Sequence, residues 1–305
     1  MPADPGELYE LHLEESRIED LHDPVLVHAL DGFIDAGSGV KLAVDHLLAA
    51  LPHTVIGHFD VDQLIDYRSR RPVLTFEEDK FTAFAAPELN LYQVTDGAGQ
   101  EFLLLTGPEP DSQWERFIAA VGQIVDRFAV RLTLGMTAIP MGVPHTRPSG
   151  MSAHSTREGL LASNGTWVGS VQVPGYASGL LEFRFGQAGR DAAGFAVHVP
   201  HYLARSEYPE AARQLLQAVS DTSGLTFDLS ALTERSKTVR GEVDEQVANS
   251  EDVAEVVHAL ERQYDAFVSG QGKGLLAGTT ALPTADELGA EFEAFLADQQ
   301  GPGRD

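Results

Sequence analysis

The chain has 305 residues, with 46 Asp and Glu against 21 Lys and Arg, a net charge of -25 and no cysteine. That charge repels nucleic acid and anionic membrane surfaces and removes them as main partners, while a basic protein surface stays compatible with it. The missing cysteines rule out disulfides, thiolate zinc sites and cysteine nucleophiles.

The opening stretch "MPADPGELYELHLEES" lacks the apolar centre of a secretory signal, and no apolar run reaches the length of a membrane span. A cytoplasmic protein is expected. "VLVHAL", 25–30, reads as a buried strand. Val40, Ala43, Val44, Leu47, Leu48 and Leu51 then recur at helical spacing, which predicts an amphipathic helix over 37–51. "TVIGHF", 54–59, is the next strand, completing a strand–helix–strand unit. Residues 81–107 read as two or three strands with "DGAG" as a hairpin turn. Trp114, Phe117, Ile118, Val121, Val125 and Phe128 share one face of a second helix.

"RLTLGM", 131–136, is another strand. Residues 140–180, rich in Gly, Pro and Ser, read as loop with a short helix near 155–163. A strand over 194–200 and a helix near 209–221 close a three-layer α/β domain with a mixed sheet, expected to span 1–226. Residues 228–268 contain no proline, and two apolar stripes with cap residues at "ANSED" predict a helical hairpin, so that 227–268 forms an extension. Residues 269–305 are expected to be a linker ending in a helix at 285–298, where Thr284 and Glu287 form a capping box.

"DGFIDAGSGVKL", 31–42, approaches a phosphate-binding loop, but Ser38 stands where the lysine belongs and Asp31 and Asp35 add negative charge. A strand-to-helix turn needs glycine for its own geometry, with Asp35 or Ser38 as cap. A helix N-terminus lining a cleft at the sheet edge is the other reading. "TGPEPDSQWERF", 106–117, sets Glu109 at the same strand edge as Asp35. Two carboxylates near one cleft suit acid–base work or a cation, or else are solvated acids beside a capped helix.

"IPMGVPHTRPSGMSAHS", 139–155, is an irregular loop expected to expose His145, Arg147 and His154. Arg147 suits a carboxylate or phosphate ligand, or an internal acid that pins the loop. The histidine spacing matches no common zinc motif. "VHVPHYLARSEYP", 197–209, puts His201 and Tyr202 just past a strand end, and no G-x-S-x-G is present. No catalytic set is completed, and no metal or cofactor is expected.

"GFIDAG", "LTGPEPDSQW", "IPMGVPHTRP" and "VPHYLARSEYP", in this order and with "DYRSRRP" at 66–72, closely resemble the actinobacterial branch of the proteasome assembly chaperone family, the group related to the second eukaryotic assembly chaperone. The resemblance implies a phosphorylase-like three-layer sandwich with a helical C-terminal addition. It also implies homo-oligomers, commonly trimers, and proteasome α-subunits as partners. It places Gly32, Asp35, Gly37, Glu109, Asp111, Trp114, His145, Arg147, Pro148, His201 and Tyr202 on the family-signature surface, with no catalytic role attached. Some relatives dock through a C-terminal hydrophobic-Tyr-any motif, which "QQGPGRD" does not supply, so the acidic helical hairpin is the expected contact surface.

Two functions follow. One is a non-enzymatic assembly or scaffold protein. The other is a small-molecule binder or enzyme of phosphorylase or carboxylate-ligase type. An enzyme requires Arg147, a histidine and a carboxylate around one enclosed pocket, whereas mutual saturation of those side chains makes them structural.

Overall fold

The computed structural model describes residues 4–13, 21, 23–32, 34–161 and 170–269. Its strands are β1 (Tyr9–Leu11), β2 (Val25–Asp31), β3 (His53–Phe59), β4 (Leu74–Glu77), β5 (Lys80–Phe84), β6 (Asn90–Thr95), β7 (Glu101–Pro108), β8 (Leu132–Met141), β9 (Met151–Ser155) and β10 (Ala192–Pro200). Its helices are α1 (Gly39–Ala50), α2 (Val61–Leu64), α3 (Trp114–Arg127), α4 (Ala177–Gln187), α5 (Pro209–Ser223), α6 (Ser230–Ala248) and α7 (Glu251–Val268).

One mixed sheet runs in the order β1-β3-β6-β7-β2-β8-β10-β9. Its four central strands, β7, β2, β8 and β10, are parallel, and the flanking pairs are antiparallel. Parallel strands are apolar on both faces because helices must cover both. In β2, Val25, Val27 and Ala29 pack with α1 and α5, whereas Leu26 and Leu30 pack with α3 and α4. The result is the expected three-layer α/β sandwich. The carboxyl ends of the four parallel strands share one edge.

The "DGAG" turn joins β6 to β7. The Asp96 carboxylate accepts from Ala98 N at 2.9 Å and Gln100 N at 2.7 Å, closing the turn, and from Thr226 N at 2.7 Å, tying it to the end of α5. The C-terminal helical hairpin is also present. Ser250 caps α7 by accepting from Val253 N, and Glu251 and Asp252 occupy its first turn. Leu232 and Val243 of α6 belong to the same apolar core as α5.

Two expectations are corrected. The stretch 140–180 is not mainly loop: it contains β9 and α4 and the end of β8. Residues 151–155 pair antiparallel with β10, and 156–161 turn without forming the helix expected near 155–163; 162 and 163 lie outside the described residues. α4 escaped the periodicity reading because Gly179 and Gly186 dilute a stripe made of Ala177, Leu181 and Phe185. The strand at 80–84 stands apart from the main sheet. It pairs with β4 in a separate two-stranded arm whose strand residues are all exposed. The terminal helix expected at 285–298 lies outside the described residues.

Candidate functional site

The glycine loop between β2 and α1 is consumed by its own chain. Gly37 has a φ of +66°, and a Cβ there would stand 2.7 Å from the Tyr208 Cβ. Its amide donates to Ala204 O at 2.7 Å and its carbonyl accepts from Tyr208 N at 2.8 Å. Glycine is therefore required by backbone sign and by close approach together. The Asp35 carboxylate accepts from Val40 N at 2.8 Å and Lys41 N at 3.0 Å, occupying amides that a phosphate would need. Burial raises the Asp35 pKa, and those amide bonds oppose the rise.

Asp35 and Glu109 serve two different helix starts, closer to the capped-helix reading than to a shared cleft. Asp35 caps α1 on one face of the sheet, and Glu109 accepts from Ala177 N at 2.5 Å at the start of α4 on the other. Gly32 lies against Glu109: a Cβ there would come within 2.7 Å of Oε2. Asp111 accepts from Arg70 through Nη2 at 2.5 Å and Nε at 3.1 Å, and from Asp66 N at 2.7 Å. Arg70 also donates to Asp31 O and Glu109 O, clamping the ends of β2 and β7. The Trp114 indole donates to Pro110 O at 2.5 Å. These groups hold the strand-end loops in place.

The loop after β8 turns out to be a dock for the helical hairpin. His145 is 3% exposed, not presented to solvent as expected. Its Nδ1 lies 2.6 Å from the Tyr202 hydroxyl and its Nε2 3.0 Å from Asp244 Oδ1 of α6. Burial lowers the His145 pKa, opposed by Asp244. Arg147 donates through Nε and Nη2 to the two oxygens of Asp265, each at 2.8 Å, and through Nη1 to Glu261 Oε1 at 3.1 Å. Thr146 also donates to Glu261, and the Tyr264 hydroxyl donates to Pro148 O. The carboxylates hold the Arg147 pKa above its usual value. His201 packs edge-on to Tyr202 and its pKa is lowered by burial. Arg147, His145 and Tyr202 thus have their polar atoms spent within this region and on α6 and α7.

His154 sits elsewhere, on β9, with Nδ1 2.8 Å from Glu182 of α4. The register sets His28, Gly135, Gly194 and His154 side by side across β2, β8, β10 and β9. Each imidazole lies over a glycine, since a Cβ on Gly135 would meet His28 at 2.6 Å and one on Gly194 would meet His154 Cε1. His28 is buried and its pKa falls to about 4 for that reason. Sequence reading missed this row. Mid-strand glycines were the available signal, because they mark close approach.

Next to that row is a cavity of about 370 Å³, between the sheet and the chain entering α4; Glu109, Thr137, Ser152, His154, Tyr176 and Ser178 are its polar lining residues. The Ser152 hydroxyl lies 2.9 Å from His198 Nε2. His198 Nδ1 has no hydrogen-bond partner among the described residues, and burial lowers its pKa to about 4. A hydrolytic triad needs an acid at that nitrogen, and none of the described residues supplies one. Among the described residues, no group of three His, Asp or Glu side chains is placed to hold a metal ion. No described helix is long and apolar enough to cross a membrane.

A model of the PAC2 family matches residues 29–247. The chain belongs to the PAC2 family. Among solved PAC2-like structures, a Mycobacterium tuberculosis protein of unknown function is 47% identical with a TM-score of 0.82, covering 98% of each chain. A Corynebacterium glutamicum protein of unknown function is 39% identical, with a TM-score of 0.82 over 87% of this chain and 99% of its own. A proteasome-assembly chaperone homologue from Mycobacterium tuberculosis is 26% identical, with a TM-score of 0.70 over 76% of this chain and 99% of its own. No curated protein matches the chain in sequence.

Proposed function

We propose that this PAC2 protein is a non-enzymatic, cytoplasmic assembly factor that binds copies of itself, as a trimer, and proteasome α-subunits. The arm formed by β4 and β5 carries the proposal. Val73, Leu74, Phe76, Phe81 and Phe84 are each more than half exposed, and the Phe76 and Phe81 rings meet edge-on at 5.2 Å. Clustered apolar surface of this kind marks interaction sites. Its strongly apolar character favours a permanent self-contact, which is where interfaces are most apolar. The second surface is the α6–α7 hairpin, whose acids suit a basic face of an α-subunit.

Kinship with a proteasome-assembly chaperone homologue supports this reading. So does the saturation of Arg147 and His145 by the hairpin, which withdraws them from phosphorylase or ligase chemistry. The organisation proposed with it is a core over 1–226, a hairpin extension over 227–268 and a linker over 269–305. Native mass spectrometry of the purified protein, alone and mixed with proteasome α-subunits from the same cell, tests it. A trimer that takes up α-subunits is expected. A monomer that ignores them would overturn it.

A further inference from the structure

We infer that the cavity between the sheet and the start of α4 is a binding site for a small apolar molecule with an amine head. This inference stands apart from the protein-binding role.

The cavity exists because its floor is made of small side chains. Thr137, Ala196 and Ser152 lie in one row across β8, β10 and β9. A Leu or Phe at any of them would fill the gap, as similar side chains do elsewhere under α3 and α4. At about 370 Å³ the space is within the range of roughly 300–1,000 Å³ typical of small-molecule sites. The remaining walls are chiefly apolar, with Leu30, Ile139 and Met141 prominent among them. An apolar ligand body is solvated there better than in water.

The head group follows from charge. Glu109 lines the cavity while only 6% exposed, and the Ala177 amide engages its Oε1. No Lys or Arg is among the described residues that line the cavity. Burial, with Glu182 and then Glu109 adding to it, raises the Tyr176 pKa, so the phenol stays neutral and the local field negative. A carboxylate or phosphate ligand would lose its hydration and meet no Lys or Arg among the described lining residues. An ammonium group supplies the counter-charge that a buried carboxylate lacks.

The test is isothermal titration calorimetry of the full chain at neutral pH with three probes of equal length: hexylamine, hexan-1-ol and hexanoate. Hexylamine is expected to bind most tightly, the alcohol more weakly and hexanoate least. Glu109→Gln is expected to weaken hexylamine roughly tenfold, the scale of one charged hydrogen bond, and to leave the alcohol unchanged. Ala196→Leu, which fills the floor, is expected to weaken both. Hexanoate binding as well as hexylamine would overturn the inference. So would hexylamine binding that ignores Ala196→Leu, and that result stands even if Glu109→Gln does not fold.

Discussion

Arg147 grips Asp265 through two parallel hydrogen bonds of 2.8 Å, joining the loop after β8 to a helix 118 residues further along the chain. Nη1 adds Glu261, one helical turn earlier on α7. A planar guanidinium fits a carboxylate in this two-point manner, and lysine does not. Arg147→Ala is therefore expected to lower the thermal midpoint by a few degrees and to speed proteolysis within 227–268. Arg147→Lys is expected to recover only part of the loss. Differential scanning fluorimetry and limited trypsin digestion check both, and an unchanged midpoint with unchanged cleavage would remove Arg147 from the docking role.

Deletion of 227–268 addresses the same joint from the other side. Leu232 and Val243 leave the α5 core when α6 is removed, and His145 loses Asp244. The remaining core is expected to unfold cooperatively in urea with a lower midpoint. A chain with no cooperative transition would make the hairpin part of the folding unit.

At Gly37 the backbone sign and the Tyr208 approach act together. Gly37→Ala is expected to cost ~1–3 kcal/mol, the range for a non-glycine residue held at an unfavourable φ, ψ pair. Asp35→Ala, which strips the Val40 and Lys41 amides of their acceptor, is expected to cost ~0.5–2 kcal/mol. Urea denaturation measures both. A Gly37→Ala protein as stable as the parent would refute the steric account.

Acid sensitivity should come from the buried histidines. Burial brings the pKa of His28 and His198 to about 4, below the ordinary histidine value of 6.5. Between those values the unfolded chain takes up protons that the folded chain refuses. Their stabilisation is complete above pH 6.5 and is lost as pH falls toward 4, on the order of 3 kcal/mol for each. Asp265, with its pKa lowered by Arg147, extends the loss to lower pH still, whereas the raised pKa of Asp35 acts in the opposite sense. Urea titrations from pH 7 to 4.5 are expected to show falling stability, less steeply in His28→Asn. A flat profile would contradict the burial argument.

The arm prediction separates binding from folding. Phe76→Ser with Phe81→Ser is expected to leave the thermal midpoint within a degree or so, because surface changes away from the core are close to neutral. Native mass spectrometry of the double variant is expected to show monomer. A trimer with parental stability would place the self-contact on another surface.

Much of the α/β core was legible because its signals are local. The β-branched run at 25–30, the apolar spacing over 37–51 and 114–128, and the "DGAG" turn each follow from the backbone geometry of a few neighbouring residues. The cap at Ser250 was legible for the same reason. The same sequence resemblance led to the PAC2 family and to the loops that matter. Tertiary structure alone decided what those loops do. Whether Arg147 faces a ligand or an internal acid depends on where α7 packs, and periodicity carries no information about Asp265. Asp35 and Glu109 follow adjacent parallel strands, yet the helices they cap cover opposite faces of the sheet. The His28–Gly135–Gly194–His154 row draws one residue from each of four strands separated by up to 166 residues in the chain. Local propensity is a property of neighbours in sequence. Saturation, burial and the shape of a cavity are properties of neighbours in space.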